Sequence, residues 1–590
     1  MRWVAIAHVS VAVATLNLKQ MRPPLAEQVL SPRQQQSLNP SAPSRFLNAQ
    51  TERFSVNGTA LPNVDFDVGE SYAGSLPISS NVNDTNQLFF WFFPSENQTV
   101  GNEITIWLTG GPGCSSVGEL LSENGPVLWQ PGVFKPVRNK WSWHRLTNMV
   151  WIDQPIGSGF SQGNVTARNE FDVADQFMGF WRNFVDTFAL QGFKVYITGS
   201  SYSGMYCPYV ASAMLDANDT QYFDVRGMQV FDGLYANNPI PQDIPVSSFA
   251  DNWSDVFGFN DSFTASMQNR SKSCGYDDYL KKYIVFPASE RQPSTLPGVE
   301  SDQVTPLEGC GLFNDVFTAA AEVNPCFSPY TITSLCPIKY DPLGFTDGTS
   351  YIPDGSGPAY FNRADVKAVI HAPDKEWAFC TNDPVFVNGT DNSVVDGPGS
   401  QPVIPNVIDR TQNVILGHGS QDFVLISDGT LLSIQNMTWG GKMGFQTRPT
   451  EPLFIPYHVN DNFETIAGAG VLGTAHEERG LTYIAVAPAG HFLAMDAPQV
   501  AFRSMEVLLG RVDGFQSRAP FTTDTNNTAQ PEVDMGNGTV LITQGGVVGS
   551  GNANTSPSGI VTTSGDNLRG VAETSVINLP RTVLQPALGL

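Results

Sequence analysis

The sequence predicts an α/β fold: a mostly parallel sheet with helices on both faces and a segment inserted in mid-chain. Three observations carry this. Short apolar runs alternate with helix-length segments, the pattern of strands buried on both faces. That rhythm breaks between about 241 and 360, a Pro-rich stretch holding four of the seven cysteines. And K-V-Y-I-T-G-S-S-Y-S-G-M-Y (194–206) reads as strand, tight turn and helix with a serine at the apex.

The strand candidates come in order along the chain. Residues 87–94 hold the run Q-L-F-F-W-F-F-P. Ile104–Leu108 runs into Gly110-Gly111, and Met149–Ile152 ends at Asp153-Gln154-Pro155. Val195–Thr198, Met228–Phe231, Val414–Leu416 and Tyr483–Val486 follow. Residues 172–190 and 203–217 have helical length and pattern between them. The expected organisation is an α/β core in two halves, 51–240 and 361–517, with 241–360 as a cap. Residues 21–50 are rich in Pro, Gln and Ser and read as a mobile arm or a removed pro-segment. Residues 518–590 turn to Gly, Thr, Ser and Asn and read as a disordered tail.

Bulk chemistry narrows the function. Acidic residues outnumber basic ones by 56 to 32, a net charge of −24, which disfavours nucleic acid and anionic membranes as partners. Met1-Arg2 followed by W-V-A-I-A-H-V-S-V-A-V-A (3–14) reads as a signal peptide cleaved by about residue 20. No later run is long enough for a membrane span. Thirteen N-x-S/T sequons between Asn57 and Asn554 fit a secretory route and N-linked glycans. The expected localisation is extracellular, with vacuolar delivery as the alternative. No C-x-x-C and no Cys/His cluster has zinc spacing, so no metal or other cofactor is expected.

The turn at 194–206 has the layout of a nucleophile elbow, which requires small residues beside the serine. Gly199, Ser200, Ser203 and Gly204 supply them and place Ser201 at the apex. Ser200 is the register-shifted alternative, disfavoured because Thr198 would then fill a small position.

Several motifs together resemble the serine carboxypeptidase family. They are W-L-T-G-G-P-G-C-S-S (107–116), S-E-N-G-P (122–126), N-K-W-S-W (139–143), W-I-D-Q-P-I-G-S-G-F-S (151–161) and G-S-S-Y-S-G (199–204). F-N-R-A-D-V-K-A-V-I-H (361–371), G-H-G-S-Q-D-F (417–423) and A-G-H-F-L-A-M-D-A-P (489–498) continue the series in order. The resemblance implies an α/β-hydrolase fold and an exopeptidase acting on peptide or protein C-termini. It implies Ser201 as nucleophile, His491 as general base and acid, and Asp422 as the carboxylate that orients the imidazole. His418, His144, His371, Asp153 and Asp428 compete for these roles but lack the matching context. The amides of Gly111 and Tyr202 are implied as the oxyanion hole. Trp107, Thr109, Gly110, Glu123 and Ser200 are implied around the substrate's terminal carboxylate.

The same resemblance implies a bridge from Cys114 to Cys380. For the cap, the favoured pairing is Cys274–Cys336 around Cys310–Cys326, although sequence does not determine connectivity. Cys207 is then the free thiol.

Two positions depart from the family. Thr109 stands where Asn is typical, and Ser200 where Glu is typical. A pair of adjacent carboxyls shares a proton and can donate to a carboxylate. Glu123 is therefore expected to have lost its partner, with weaker binding of free-acid substrates. An esterase or acyltransferase is the second reading, and an inactive secreted binding protein the third.

Overall fold

The computed structural model describes residues 44–345, 350–352, 356–395, 399–460, 463–464 and 468–524. Met1–Arg45 and the chain from Phe46 onward are separate compact units, and the sheet, the cap and the site all belong to the second. The expected signal peptide, most of the expected arm and the tail beyond 524 lie outside the described residues.

The main sheet has eleven strands. In chain order they are β1 (Ser55–Val56), β2 (Ser71–Pro77), β3 (Gln87–Phe93), β4 (Glu103–Leu108), β5 (Asn148–Asp153) and β6 (Lys194–Ser200). Then come β7 (Asp224–Phe231), β8 (Val414–Gly419), β9 (Glu451–Ile455), β10 (Gly470–Glu478) and β11 (Leu481–Val486). Their spatial order is β1-β2-β3-β5-β4-β6-β7-β8-β11-β10-β9. The centre, β5-β4-β6-β7-β8-β11, is parallel, and the outer pairs are antiparallel.

Alternation explains the apolar runs. In β3, Leu88, Phe90 and Phe92 enter one core and Phe89, Trp91 and Phe93 the other. In β4, Ile104, Ile106 and Leu108 face the first core and Trp107 the second. A strand covered on both faces needs apolar residues at every position. Each large side chain so buried contributes about 1.5–3 kcal/mol. On the first face lie α1 (Glu170–Phe188), α2 (Ser203–Asp216) and α3 (Ile404–Thr411); α4 (Pro498–Leu508) covers the second. Helix α1 begins at Asn169, whose side chain accepts a hydrogen bond from the Asp172 amide.

Register places the site. Leu108 pairs with Gly199, Ser200 with Phe231, Phe231 with Gly417, and Gly419 with Val486. The C-terminal ends of five parallel strands thus form one edge, and the loops leaving that edge carry Thr109, Ser201, Asp422 and His491. Ligands of open α/β sheets bind at this edge.

Between β7 and β8 the chain forms helices Val246–Asn252, Asp261–Ser273, Tyr276–Tyr283 and Leu312–Val323 around a separate core. That core packs on Phe423, the neighbour of Asp422, through Phe249, Phe257, Phe313 and Phe327. Among the described residues no helix is long and apolar enough to cross a membrane.

The bridges are Cys114–Cys380, Cys274–Cys310 and Cys326–Cys336, with Cys207 free and buried. The first agrees with the family resemblance. The nested pairing expected for the cap is corrected: Cys274 does not join Cys336, nor Cys310 Cys326. Cys310 and Cys326 flank opposite ends of helix Leu312–Val323. Its twelve residues span about 18 Å, far beyond what a disulfide can bridge. Each cysteine instead pairs with the next one along the chain, over 36 residues for Cys274–Cys310 and 10 for Cys326–Cys336.

Candidate active site

The apex serine is held in a conformation that side chains rarely adopt. Ser201 has φ 60°, which costs about 1–2 kcal/mol for a residue with a β-carbon. The elbow offsets this strain with hydrogen bonds. The Ser201 amide donates to Phe231 O at 2.9 Å, and its carbonyl accepts from Gly204 and Leu234 at 2.9 and 3.0 Å. Gly199 and Gly204 are required: a β-carbon would lie 2.3 Å from Leu108 O at 199 and 2.4 Å from Leu234 O at 204. This is the register expected for Ser201. Ser200 remains on β6, extended and buried.

The other two triad candidates meet directly. His491 Nδ1 donates to Asp422 Oδ2 at 2.8 Å, both groups buried. The other Asp422 oxygen accepts the Leu425 amide at 3.1 Å. The segment Pro329–Tyr330 ties both loops down, because Phe423 N donates to Pro329 O and His491 N to Tyr330 O. With its Nδ1 proton committed to Asp422, His491 presents Nε2 as a base.

His418 is not a competitor. Its Nε2 donates to Leu425 O and its Nδ1 accepts Thr430 Oγ1. Burial holds its pKa below the ordinary value, so it stays neutral and structural. Asp153 accepts Ser115 Oγ and the amides of Val117 and Phe160, fixing the loops behind the site.

No sequence motif marks Asp232, just after β7, yet it lies beside Asp422. Its Oδ1 accepts the Gly419 amide at 2.7 Å, and its Oδ2 is buried with no partner among the described residues. Asp232, His418 and Asp422 place ligand-type atoms within 4.8 Å of one another. His418 Nε2 and Asp422 Oδ2 are already bonded to Leu425 O and His491. Burial and the neighbouring Asp422 charge push Asp232 well above the usual carboxylate range.

The glycine loop fits against the elbow. A β-carbon on Gly110 would lie 2.3 Å from Tyr202 N and 2.7 Å from Ser201 Cβ. Gly111 has φ 116°, and a β-carbon there would lie 2.6 Å from Gly113 N. Only glycine allows this approach. The Cys114–Cys380 bridge anchors the loop, together with Ser115 N to Phe379 O and Thr381 N to Gly113 O. Tyr202 sits at the start of α2, where the helix dipole favours a developing negative charge.

Around Thr109 and Ser200, two of the residues expected at the substrate's carboxylate, the structure adds one more. Glu119, from the helical turn Ser116–Glu119, enters beneath Thr109 and Ser200. Its Oε2 accepts Trp107 Nε1 at 2.7 Å and Thr109 Oγ1 at 2.5 Å. Ser200 Oγ lies 3.3 Å from both of its oxygens. The expectation that Glu123 stands without a like-charged neighbour is corrected, because Glu119 is one turn before it. Burial raises Glu119 to about 7. Burial, then the charges of Glu119 and Asp496, raise Glu123 well above its ordinary value. A sequence signal exists: G-E-L-L-S-E (118–123) spaces the two acids i, i+4 on one helical face. Trp107 is wholly buried and reaches the site only through Glu119.

Residues 62–511 match the serine carboxypeptidase family model. A probable serine carboxypeptidase of Arthroderma benhamiae is 46% identical over 79% of this chain and 88% of its own length. The serine-type carboxypeptidase F of Aspergillus niger is 41% identical over 80% of this chain and 89% of its own. A prohormone-processing carboxypeptidase of Saccharomyces cerevisiae superposes with a TM-score of 0.57 at 22% identity, covering 78% of this chain and 96% of that one. The fold is the α/β-hydrolase fold, and the chain belongs to the serine carboxypeptidase family.

Proposed function

We propose that Ser201, His491 and Asp422 act as the triad of a secreted serine-type carboxypeptidase. Ser201 Oγ attacks the last peptide carbonyl while His491 Nε2 takes its proton. Asp422 holds the imidazole in the required tautomer and stabilises the imidazolium. The amides of Gly111 and Tyr202 receive the oxyanion. His491 then protonates the leaving amine, and water attacks the acyl-enzyme by the reverse steps. The observation that carries this reading is the pairing of a strained apex serine with a buried His–Asp hydrogen bond on one edge of the sheet.

The C-terminal carboxylate is received between Gly110 and Ser200, both beside the nucleophile, and Glu123. The test compares a blocked dipeptide acid with its amide and its ester. Preference for the acid supports the reading, and preference for the ester would move the protein to the esterase alternative.

Export is supported by three bridges among six cysteines, which an oxidising compartment allows. Eight described sequon asparagines are exposed, among them Asn57, Asn83, Asn97 and Asn388. Asn436 is half-buried, and its side chain bonds Gln292 N and Gln401 Oε1. Glycopeptide mapping should find glycans at the exposed sites and none at Asn436.

A further inference from the structure

The turn Ser116–Glu119 continues into Leu120–Asn124 and carries two buried carboxyls at i, i+4. Their surroundings are unequal. Glu119 is bonded on both oxygens, to Trp107, Thr109 and Ser200. Glu123 Oε1 is buried with no partner among the described residues, although Glu123 is only 2% exposed. A polar atom so placed, beside the Glu119 carboxyl that Ser200 contacts, points to a ligand group that completes it. Trp107 lies on β4 and Thr109 just beyond it, beside Ser200 at the end of β6, so the Glu119 head group reaches the elbow from a different element. The elbow itself supplies only a hydroxyl.

We propose that Glu119 and Glu123 together read the substrate's terminal carboxylate, Glu123 as the hydrogen-bond donor and Glu119 as the partner whose ionisation weakens that binding. This rests on the carboxypeptidase reading and deepens it. Serine at 200 does not remove the acid pair; the second carboxyl has moved to position 119.

Charge sets the direction of the pH dependence. Burial, then the charges of Glu119 and Asp496, oppose ionisation of Glu123 and favour its protonated form, which can donate. Glu119 ionises near neutrality, at about 7. Above that point a negative charge stands beside the bound carboxylate and repels it. The other charged groups facing the pair are His491, which favours ionised Glu119, Asp232, coupled to Glu123, and Lys339, which acts on Asp496. None of these removes the sign: affinity for free acids is highest in acid and falls as pH rises.

The experiment measures KM and kcat for a blocked dipeptide acid and its methyl ester between pH 5 and 8.5. For the wild-type protein, the acid KM should rise about tenfold per pH unit above neutrality while the ester KM stays flat. Glu119→Gln keeps the shape and cannot ionise, so its acid KM should lose the rise and hold one value from pH 5 to 8.5. Thr109→Val removes a donor to ionised Glu119, so the rise should begin at higher pH; this second variant covers a folding failure of the first. A flat wild-type acid KM, or a Glu119→Gln protein that keeps the rise, overturns the proposal while leaving the carboxypeptidase reading intact. Absence of free-acid cleavage at every pH overturns that reading itself.

Discussion

The nucleophile elbow and the carboxylate site are one residue apart, at Ser201 and Ser200, and the chain builds them by different means. The elbow is a backbone object. Its φ of 60°, its hydrogen bonds to Phe231 O and Gly204 N, and the steric demand for Gly199 and Gly204 leave one sequence layout. The carboxylate site is made by side-chain reach. Its head groups converge from β4, β6 and the helical turn at Ser116–Glu119. A backbone device cannot move along the chain, whereas a carboxyl can be supplied from any element whose side chain arrives at the same place.

The sharpest break in that comparison is a pair of alanine variants. Ser201→Ala should lower kcat/KM by several orders of magnitude. Ser200→Ala removes only a 3.3 Å contact to Glu119, so kcat should stay within about threefold and the acid KM should rise modestly. Steady-state kinetics with one peptide acid decides it, and equal loss in both would falsify the elbow register.

Next in size is Gly110→Ala. The added methyl would press on Tyr202 N, the amide assigned to the oxyanion, and on Ser201 Cβ. The expected result is a fall in kcat of about a hundredfold or more, with a folded protein by circular dichroism. Thr109→Ser, which keeps the hydroxyl on Glu119, should stay within about threefold. An unaffected Gly110→Ala would show that the loop can retreat without cost.

The two regions also differ in how legible they were. Gly-x-Ser after a strand is visible in sequence because sterics dictate residue type at fixed offsets. The aspartate and histidine after β8 and β11 were legible for a related reason: each leaves the end of an apolar strand. Glu119 was not legible in this way, because the family carries its carboxyl just before the serine and the motif marks only that position. Its role depends on where a helical turn lies against β4, which no local pattern encodes. Asp232 was hidden likewise, since it becomes a neighbour of Asp422 only through the pairing of Phe231 with Gly417. In the cap, spacing alone admitted several connectivities, and the length of helix Leu312–Val323 excluded the favoured one.

Buried carboxyls give a prediction about the whole fold. Burial raises Asp153 and Asp428 to about 6 and Glu119 to about 7, and it also raises Glu123, Glu170 and Asp232. A carboxyl raised in the folded state binds more protons there than in the unfolded chain. Its stabilising effect is complete below the unfolded value, near 4, and is lost as pH rises through the folded value. Across that window each such group lowers stability as pH rises. Glu478, lowered to about 2 by hydrogen bonds from Gln446, Thr447 and His476, acts in the opposite sense and supplies an acid limb. The melting temperature should peak in mild acid and fall steadily from about pH 5 to 8. A calorimetric profile that rises to neutrality would contradict the burial of these groups.

The smallest expected effect separates stability from activity in the two cap bridges. Cys274–Cys310 closes a span of 36 residues and Cys326–Cys336 one of 10. By chain entropy the longer loop matters more to the unfolded state, about 4 against about 3 kcal/mol. Their relation to the site is the reverse. Cys274 ends helix Asp261–Ser273 within the cap core. The 326–336 loop contains Pro329 and Tyr330, whose carbonyls hold Phe423 and His491, and Thr331, which donates to Asp496. Replacing Cys274 and Cys310 by Ser should therefore lower the melting temperature more and leave kcat unchanged. Replacing Cys326 and Cys336 should lower it less, yet reduce kcat several-fold, because the loop that positions the histidine is no longer closed. If both double variants change only stability, the cap loop does not position the triad, and the elbow and strand-end loops hold it without help.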